Sequence, residues 1–300
     1  MMTSAFRSVL LATSMIALSP SAPAASPAPA GSPTLLMMPD STNNRLVLFN
    51  LADGSVADPD YFPLQGGTPV HAMQVGFEIW ISEQLGDRVS RWSLDGTYLG
   101  AIGGGVTGGL DNVRGMGVGG GHILLTNSGT ANGAPGPAIV KITGAGVLDG
   151  SINVASFAPS PFGIFATGTG FLVSSSSPND DIHRFDLDFA SVGTFHNSTT
   201  LNFAEQLARD GGDHVIVAGF TSGNLVRFNV ATGAQVNAIA APGARGVHVL
   251  GNGNILWTSG DGAFVYDTTS QQSTSVYTGG GRYLDLFLFV DDTIFADGFD

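Results

Sequence analysis

Short apolar runs, each followed by a turn rich in glycine or polar residues, recur along the chain from residue 34 onward. Each run is four residues long and rich in Ile, Leu, Val or Met, which is shorter than a helix and typical of a buried strand. Tight turns such as GNGN at 251–254 precede them. The pattern predicts an all-β chain. The six runs are LLMM (35–38), IWIS (79–82), ILLT (123–126), FLVS (171–174), VIVA (215–218) and ILWT (255–258).

A second motif follows each run: an apolar residue, a basic one, an aromatic residue or Ile, and a small polar one. Its third positions are spaced 43, 50, 43, 43 and 38 residues apart, a period typical of one four-stranded propeller blade. Four repeats carry the basic residue, which we predict to pack its stem between blades and to pair with an acidic neighbour. The third positions are Phe49, Trp92, Ile142, Phe185, Phe228 and Tyr266, and the basic residues are Arg91, Lys141, Arg184 and Arg227.

The first repeat lacks the inner strand that precedes the apolar run in the other five. The segment YLDLFLFV (283–290) supplies a spare strand after the last repeat. Pairing it with the first blade would close the ring and remove exposed sheet edges. Residues 34–291 are therefore predicted to form one six-bladed β-propeller. The inner strands are predicted to begin near Val70, Val113, Phe162, Ala204, Ala244 and Arg282.

Composition narrows the class of protein. Hydrophobic residues make up 43% and charged residues 12% of the chain, which favours a compact domain over a disordered one. The formal net charge of −13 argues against binding to nucleic acid, because a phosphate backbone would be repelled. The absence of cysteine excludes disulfides, thiolate metal sites and a cysteine nucleophile.

The N-terminal residues predict export. Arg7 precedes an apolar run at 9–18, and Ala22-Pro23-Ala24 offers a cleavage site, so residues 1–24 are predicted to be a signal peptide. The apolar run is too short to span a bilayer. Residues 25–33 are predicted to be a flexible linker, and residues 292–300 a tail, for which a sorting tag and a frayed end both remain open. We expect a monomer in the periplasm or outside the cell, without a transmembrane segment.

Four segments carry a family resemblance: NNRLVLFN (43–50), DRVSRWS (87–93), DIHRFD (181–186) and NLVRFN (223–229). They resemble the strand signature of NHL repeats, and the chain resembles the broad group of NHL-repeat and gluconolactonase-like six-bladed propellers over residues 34–291. Gluconolactonase-like members of that group bind a divalent cation through Glu, Asp and Asn residues around one mouth of the channel. The resemblance therefore implies either a binding scaffold or a metal-dependent enzyme.

The starts of the inner strands are predicted to converge at one mouth of the central channel. Alignment of these starts places polar side chains there, and we take five as candidate ligand-binding residues. The two arginines could hold a carboxylate or sulfate through paired hydrogen bonds. Mutual neutralisation of the arginines and the glutamate, which would plug the channel, is the open alternative. The candidates are His71, Arg114, Glu205, Arg245 and Tyr283, with Gly163 at the remaining aligned position.

Two functions follow from this ring. The first is a scaffold without catalysis or cofactor, which binds a protein, a glycan or a small anionic ligand. The second is a metal-dependent hydrolase or lyase of the lactonase-like group, with a cation such as calcium. Glu205 and Asp285 are the acidic residues near the ring, and two arginines would repel a cation there. We therefore favour the binding scaffold over an enzyme.

Overall fold

The structure is a computed structural model that describes residues 34–176 and 181–288. In these two ranges, 24 strands form six four-stranded sheets, which confirms the predicted six-bladed β-propeller. The predicted leader (1–24), linker (25–33) and tail (292–300) lie outside the described residues, as do residues 289–291 of the predicted propeller. None of the described residues forms an apolar helix of membrane-spanning length.

The blades follow one another in chain order, and each sheet is antiparallel. Blade 1 contains β1 (Thr34–Asp40), β2 (Arg45–Asn50) and β3 (Val56–Pro63), and blade 2 contains β4 (Pro69–Val75), β5 (Glu78–Glu83), β6 (Arg88–Ser93) and β7 (Tyr98–Gly103). Blade 3 contains β8 (Val113–Gly119), β9 (His122–Asn127), β10 (Ala138–Ile142) and β11 (Leu148–Asn153). Blade 4 contains β12 (Pro161–Ala166), β13 (Gly170–Ser175), β14 (Ile182–Asp186) and β15 (Ser191–His196). Blade 5 contains β16 (Ala204–Asp210), β17 (His214–Gly219), β18 (Asn224–Asn229) and β19 (Gln235–Ala240), and blade 6 contains β20 (Gly246–Val249), β21 (Ile255–Ser259), β22 (Gly262–Asp267) and β23 (Gln272–Thr278).

The last strand closes the ring as predicted. Strand β24 (Asp285–Leu288) pairs with β1, with Asp285 opposite Met37. The side-chain amide of Gln74 in blade 2 accepts a hydrogen bond from Leu288 N (2.8 Å) and donates one to Leu288 O (3.4 Å). The closing strand is thereby held to the neighbouring blade as well as to its own sheet.

The hydrophobic core lies between adjacent blades. The predicted aromatic or Ile positions fall on the third strand of every blade, counted from the channel, and all but Tyr266 are buried. Trp92 stacks on Phe62 of the preceding blade with ring centroids 5.2 Å apart. Burial of each such side chain contributes about 1.5–3 kcal/mol. The 43-residue period thus reflects one large side chain for each gap between blades.

Three of the four repeated basic residues make polar contacts with defined partners. Arg91 makes a two-pronged ion pair with Glu78 (2.6 and 2.8 Å), and Arg227 pairs with Asp210. Arg184 instead donates hydrogen bonds to backbone carbonyls of the next blade, among them Ala231 O at 3.0 Å. The predicted acidic partner is therefore present at Arg91 and Arg227, whereas Arg184 bridges blades through the backbone.

Hydroxyl groups join neighbouring inner strands. In four of the six blades, the residue at the end of the apolar run carries a hydroxyl that donates to a carbonyl on the next inner strand. In blades 2, 4 and 6 the hydroxyl also accepts a hydrogen bond from an N–H of the inner strand of its own blade. Separately, β-bulges occur in the inner strands of blades 2 to 5, which are β4, β8, β12 and β16. The pairs are Ser82 to Arg114 O, Thr126 to Phe162 O (2.8 Å), Ser174 to Glu205 O (2.6 Å) and Thr258 to Arg282 O (2.6 Å).

The other two blades join their neighbours directly. Met38 and Ala218 stand where the hydroxyl would be. There, Tyr283 N donates to Val70 O (3.0 Å) and Gln206 N donates to Arg245 O (3.2 Å). All six joints therefore satisfy a buried carbonyl, four through a hydroxyl and two through the backbone alone.

Removal of one hydroxyl should loosen one joint. Thr126→Val keeps the side-chain shape but leaves the buried carbonyl of Phe162 without its donor, so we expect a loss of about 1–3 kcal/mol in the free energy of unfolding, measured by urea denaturation. Thr274→Val, on the exposed outer strand β23, is the matched control and should change stability by less than about 0.5 kcal/mol. Equal stability of the two variants would contradict a role for the hydroxyl.

Candidate functional site

The six joints define two rings of residues around the channel. The residues whose carbonyls accept the joint hydrogen bonds form the mouth ring, and the residue after each of them forms the cavity ring. The mouth ring is Val70, Arg114, Phe162, Glu205, Arg245 and Arg282. The cavity ring is His71, Gly115, Gly163, Gln206, Gly246 and Tyr283.

The predicted site therefore divides between two rings. Arg114, Glu205 and Arg245 belong to the mouth ring as aligned, but His71 and Tyr283 belong to the cavity ring. The predicted alignment is wrong by one residue at these two positions and at Gly163. The predicted starts of β4 and β12, Val70 and Phe162, lie one residue after the observed starts, whereas β8 and β16 begin where predicted. At Tyr283 the equivalent position precedes β24, and the apolar pattern does not mark it. Whether the five residues bind a ligand stays a prediction.

Glu205 is the acidic residue of the mouth ring. Its side chain is almost completely buried, and its Oε1 lies 3.6 Å from Arg245 Nη1. Burial raises the pKa of Glu205 to about 7, although the nearby charges of Arg245, Arg282 and Arg114 oppose the rise. At neutral pH the carboxyl group therefore divides between its neutral and charged forms.

The arginines also contact neighbours other than Glu205. Arg114 Nη1 donates to Ser160 Oγ (3.0 Å) and Pro161 O (2.9 Å), and its guanidinium lies 3.7 Å from the centre of the Phe162 ring. Burial lowers the pKa of Arg114 to about 10. Arg245 lies over the ring of Phe220 at 4.5 Å. Aromatic faces and backbone carbonyls thus support guanidinium groups that would otherwise be costly to bury.

Arg282 completes the cluster and was missing from the predicted site. Its Nε donates to Ser41 Oγ at 2.8 Å. Burial, and then repulsion by Arg245, lowers the pKa of Arg282. Three guanidinium groups consequently face one half-ionised carboxyl group. Glu205 pairs with Arg245, but no ion pair within 4 Å joins it to Arg114 or Arg282 in the described part of the chain, so the predicted mutual neutralisation is incomplete.

A cavity of about 360 Å³ occupies the channel beyond the mouth ring. Its walls are formed by five residues of the cavity ring and by residues two positions later, which lie on the same face of each inner strand. Met73, Phe165 and Leu207 make much of the surface apolar, and Asp285 and His248 add polar groups. Alternation along the inner strands would identify Asp285 and His248, which lie two residues after Tyr283 and Gly246 of the cavity ring.

The cavity-ring polar groups differ in how far they are satisfied. Gln206 Oε1 accepts from Val247 N (3.0 Å) and Leu284 N (2.9 Å), and its Nε2 donates to Leu284 O, so it ties blade 5 to the two blades that follow around the ring. The Tyr283 hydroxyl is buried without a hydrogen-bond partner among the described residues. Burial and the Glu205 charge raise the pKa of that hydroxyl, so Tyr283 stays neutral.

The described residues do not fit the metal site that the family resemblance implies. No group of three or more His, Asp and Glu side chains in residues 34–176 and 181–288 is placed to hold a metal ion. At the mouth ring, the charges around Glu205 are arginines, which disfavour a second positive ion. A divalent cation is therefore a poor match for this mouth.

Comparisons with known proteins give the fold and no closer relationship. No protein-family model matches the chain, and no curated protein sequence matches it significantly. A structure of a nidogen/laminin complex aligns with a TM-score of 0.69 at 11% identity, covering 84% of this chain and 98% of that one. A protein of unknown function from Bacteroides caccae aligns with a TM-score of 0.63 at 15% identity, covering 85% and 99%. A streptogramin B lyase aligns with a TM-score of 0.55 at 12% identity, covering 82% and 87%.

These likenesses show a shared β-propeller fold. At such low identity they do not carry a function to this chain. The narrower resemblance to NHL-repeat and gluconolactonase-like propellers is accordingly a hypothesis about function, to be judged on the chemistry of the two rings.

Proposed function

We propose that the chain is a binding propeller whose mouth ring holds a small anionic ligand, a carboxylate or a sulfate, without catalysing a reaction. The observation that carries the proposal is the excess of three arginines over one half-ionised glutamate at a single mouth of a chain with net charge −13. An anion would relieve the repulsion between Arg245 and Arg282. Guanidinium groups suit carboxylate and sulfate because they donate paired hydrogen bonds.

Proteins of the same fold include both classes that the sequence leaves open. One structure holds nidogen in a complex with laminin, and others are of a streptogramin B lyase and a virginiamycin B lyase from Staphylococcus aureus. We favour binding for this chain because the arginine-rich mouth lacks a set of metal ligands among the described residues. A metal-dependent hydrolase or lyase is the alternative that the experiment below separates. Export stays a prediction from residues 1–24.

Titration calorimetry with sodium sulfate tests the proposal. We expect saturable binding to the wild-type protein and at least a tenfold loss of affinity in Arg245→Gln, because one charge-assisted pair of hydrogen bonds is worth about 1.5–3 kcal/mol. Arg227→Gln is the matched control. Arg227 lies on β18, the third strand of blade 5, and forms an ion pair with Asp210. It should bind sulfate as the wild type does.

Calcium chloride is the second titrant. The proposal expects no saturable calcium binding at the mouth. Calcium binding that is abolished by Glu205→Gln, together with no sulfate binding, would instead support the metal-dependent enzyme. Equal loss of sulfate affinity in Arg245→Gln and Arg227→Gln would show nonspecific attraction to basic groups.

A further inference from the structure

The cavity beyond the mouth ring has the opposite chemical character. Asp285 contributes a carboxylate to its wall, on a mostly apolar surface that includes Met73, Phe165 and Leu207. The Asp285 side chain is about one-third exposed, and its Oδ1 accepts a hydrogen bond from Leu286 N at 2.7 Å. The other carboxylate oxygen, Oδ2, faces His71.

His71 does not neutralise this carboxylate. Its Nδ1 accepts a hydrogen bond from Met116 N at 2.9 Å, which requires a lone pair there and leaves the proton on Nε2. Nε2 lies 3.3 Å from Asp285 Oδ2 but is not aligned for a hydrogen bond. Protonation of Nδ1 would set two N–H groups against each other, so this hydrogen bond requires Nδ1 to carry no proton.

His248 lies on the same wall and is also neutral. Its Nδ1 lies 2.8 Å from Val249 O, to which it donates, so Nε2 keeps its lone pair as an acceptor. Burial lowers the pKa of His248. With its Nδ1 accepting from Met116, His71 supplies no positive charge to Asp285 in this arrangement, and burial disfavours a charged His248.

The basic residue at this cavity is Arg209. It is exposed at the rim, and its guanidinium lies 5.7 Å from the ring centre of Phe165. No ion pair within 4 Å joins Arg209 to Asp285 in the described ranges. Among the described residues, the carboxylate therefore lacks a partner cation.

We propose that this cavity is a second ligand site, for a protonated primary amine carried on a small apolar skeleton. Asp285 is its counter-ion and His248 Nε2 is a hydrogen-bond acceptor for the ammonium group. The ring of Tyr283, which lies 5.6 Å from the ring of His71, offers an aromatic face to the cation. A volume of about 360 Å³ is at the small end of the range for small-molecule pockets, which suits a monoamine of modest size.

Calorimetry with 2-phenylethylamine tests this site. We expect saturable binding, at least tenfold weaker for 2-phenylethanol, which has the same skeleton without the charge, and absent for 3-phenylpropionate. Asp285→Asn should weaken amine binding at least tenfold, because it keeps the side-chain shape and removes the charge. The exposed Asp53→Asn is the matched control, and a thermal melt of each variant checks that the fold is retained.

The two sites use different charged side chains, Asp285 in the cavity and Arg245 at the mouth ring, so variants of each can be tested against both ligands. Asp285→Asn should bind sulfate as the wild type does, and Arg245→Gln should keep its affinity for 2-phenylethylamine. The proposal is wrong if 2-phenylethanol binds as tightly as the amine, or if Asp285→Asn binds the amine normally. Saturable zinc or calcium binding that depends on Asp285 would also overturn it, in favour of a metal site.

Discussion

Asp40→Ala is expected to lower the free energy of unfolding by about 3–5 kcal/mol, since it breaks a buried charged network. Asp40 is completely buried at the end of β1, the first strand of the chain-terminal blade. Its Oδ2 accepts from Tyr277 Oη (2.6 Å) and its Oδ1 from Gly280 N (2.8 Å), both more than 230 residues away in sequence. Backbone and side-chain donors of Asn43 complete the set. The carboxylate therefore links blade 1 by hydrogen bonds to the end of blade 6.

The pKa of Asp40 gives the sign of the effect with pH. Burial alone would raise that pKa, but the hydrogen bonds from Tyr277, Asn43 and Gly280 outweigh it and hold the pKa below the ordinary value of 3.8. A group with a lowered folded pKa contributes stability above its unfolded pKa and loses it as the pH falls through the folded value. The destabilisation by alanine should therefore be complete at neutral pH and smaller in strong acid.

Urea denaturation of Asp40→Ala and Asp53→Ala makes the comparison. Asp53 belongs to the same blade and caps a turn by accepting from Ser55 N (2.9 Å) and Ser55 Oγ (2.7 Å), but it is exposed. Its replacement should cost less than about 0.5–1 kcal/mol. Tyr277→Phe removes one of the buried hydrogen bonds and should fall between the two. Similar losses at Asp40 and Asp53 would show that the ring closes through the β1–β24 pairing alone.

The architecture could be predicted because every blade has the same packing requirement. One apolar run and one large anchor side chain are needed for each gap between blades, so Trp92 and Phe228 recur at equivalent positions. The missing first inner strand and the surplus 283–290 likewise pointed to closure. The hydroxyl groups of the joints are also present in the sequence, since Ser82 and Thr126 end their apolar runs whereas Met38 ends another. Their role could not be predicted, because the carbonyl that each hydroxyl contacts belongs to the next blade and comes close only in the folded ring.

The candidate site could be predicted only in part, for a local reason. Arg114, Glu205 and Arg245 were found because the aligned starts of the inner strands are more polar than the strands that follow them. Arg282 was passed over for Tyr283 because both precede β24, which pairs with β1 without a bulge, and the apolar pattern does not mark which of the two reaches the joint. His248 was missed, and Asp285 was considered only as an acidic residue near the ring. Both lie on the cavity wall, two residues after the cavity-ring positions Gly246 and Tyr283.

Glu205→Gln is expected to remove about 3 kcal/mol of pH dependence from the stability of the fold. The pKa of Glu205 is raised from 4.5 to about 7, and a difference of about 2.5 units corresponds to roughly 3 kcal/mol. A group with a raised folded pKa contributes fully below its unfolded value, and its contribution falls as the pH rises through the folded one. The wild-type protein should therefore lose stability relative to the glutamine variant between pH 4.5 and 7.

Urea denaturation at pH 5 and pH 8 measures this difference. Glu78→Gln is the matched control, because hydrogen bonds from Arg91 hold the pKa of Glu78 below its ordinary value, so Glu78 is ionised at both pH values and contributes little to the change. Wild type and Glu78→Gln should show the same loss from pH 5 to pH 8, which Glu205→Gln should lack. A carbon-13 titration of the Glu205 carboxyl group should give a midpoint near 7. A midpoint near 4.5 would refute the effect of burial.

The same ionisation should control the affinity for an anion at the mouth ring. Below pH 7 the neutral Glu205 leaves the charges of Arg114, Arg245 and Arg282 uncancelled, and above it the carboxylate offsets one of them. Sulfate affinity should consequently decrease as the pH rises from 5.5 to 8.5 in the wild type and in Glu78→Gln, and should change little in Glu205→Gln. By linkage, bound sulfate should raise the pKa of Glu205 further. Sulfate affinity that rises with pH in the wild type would contradict an anion site organised around this glutamate.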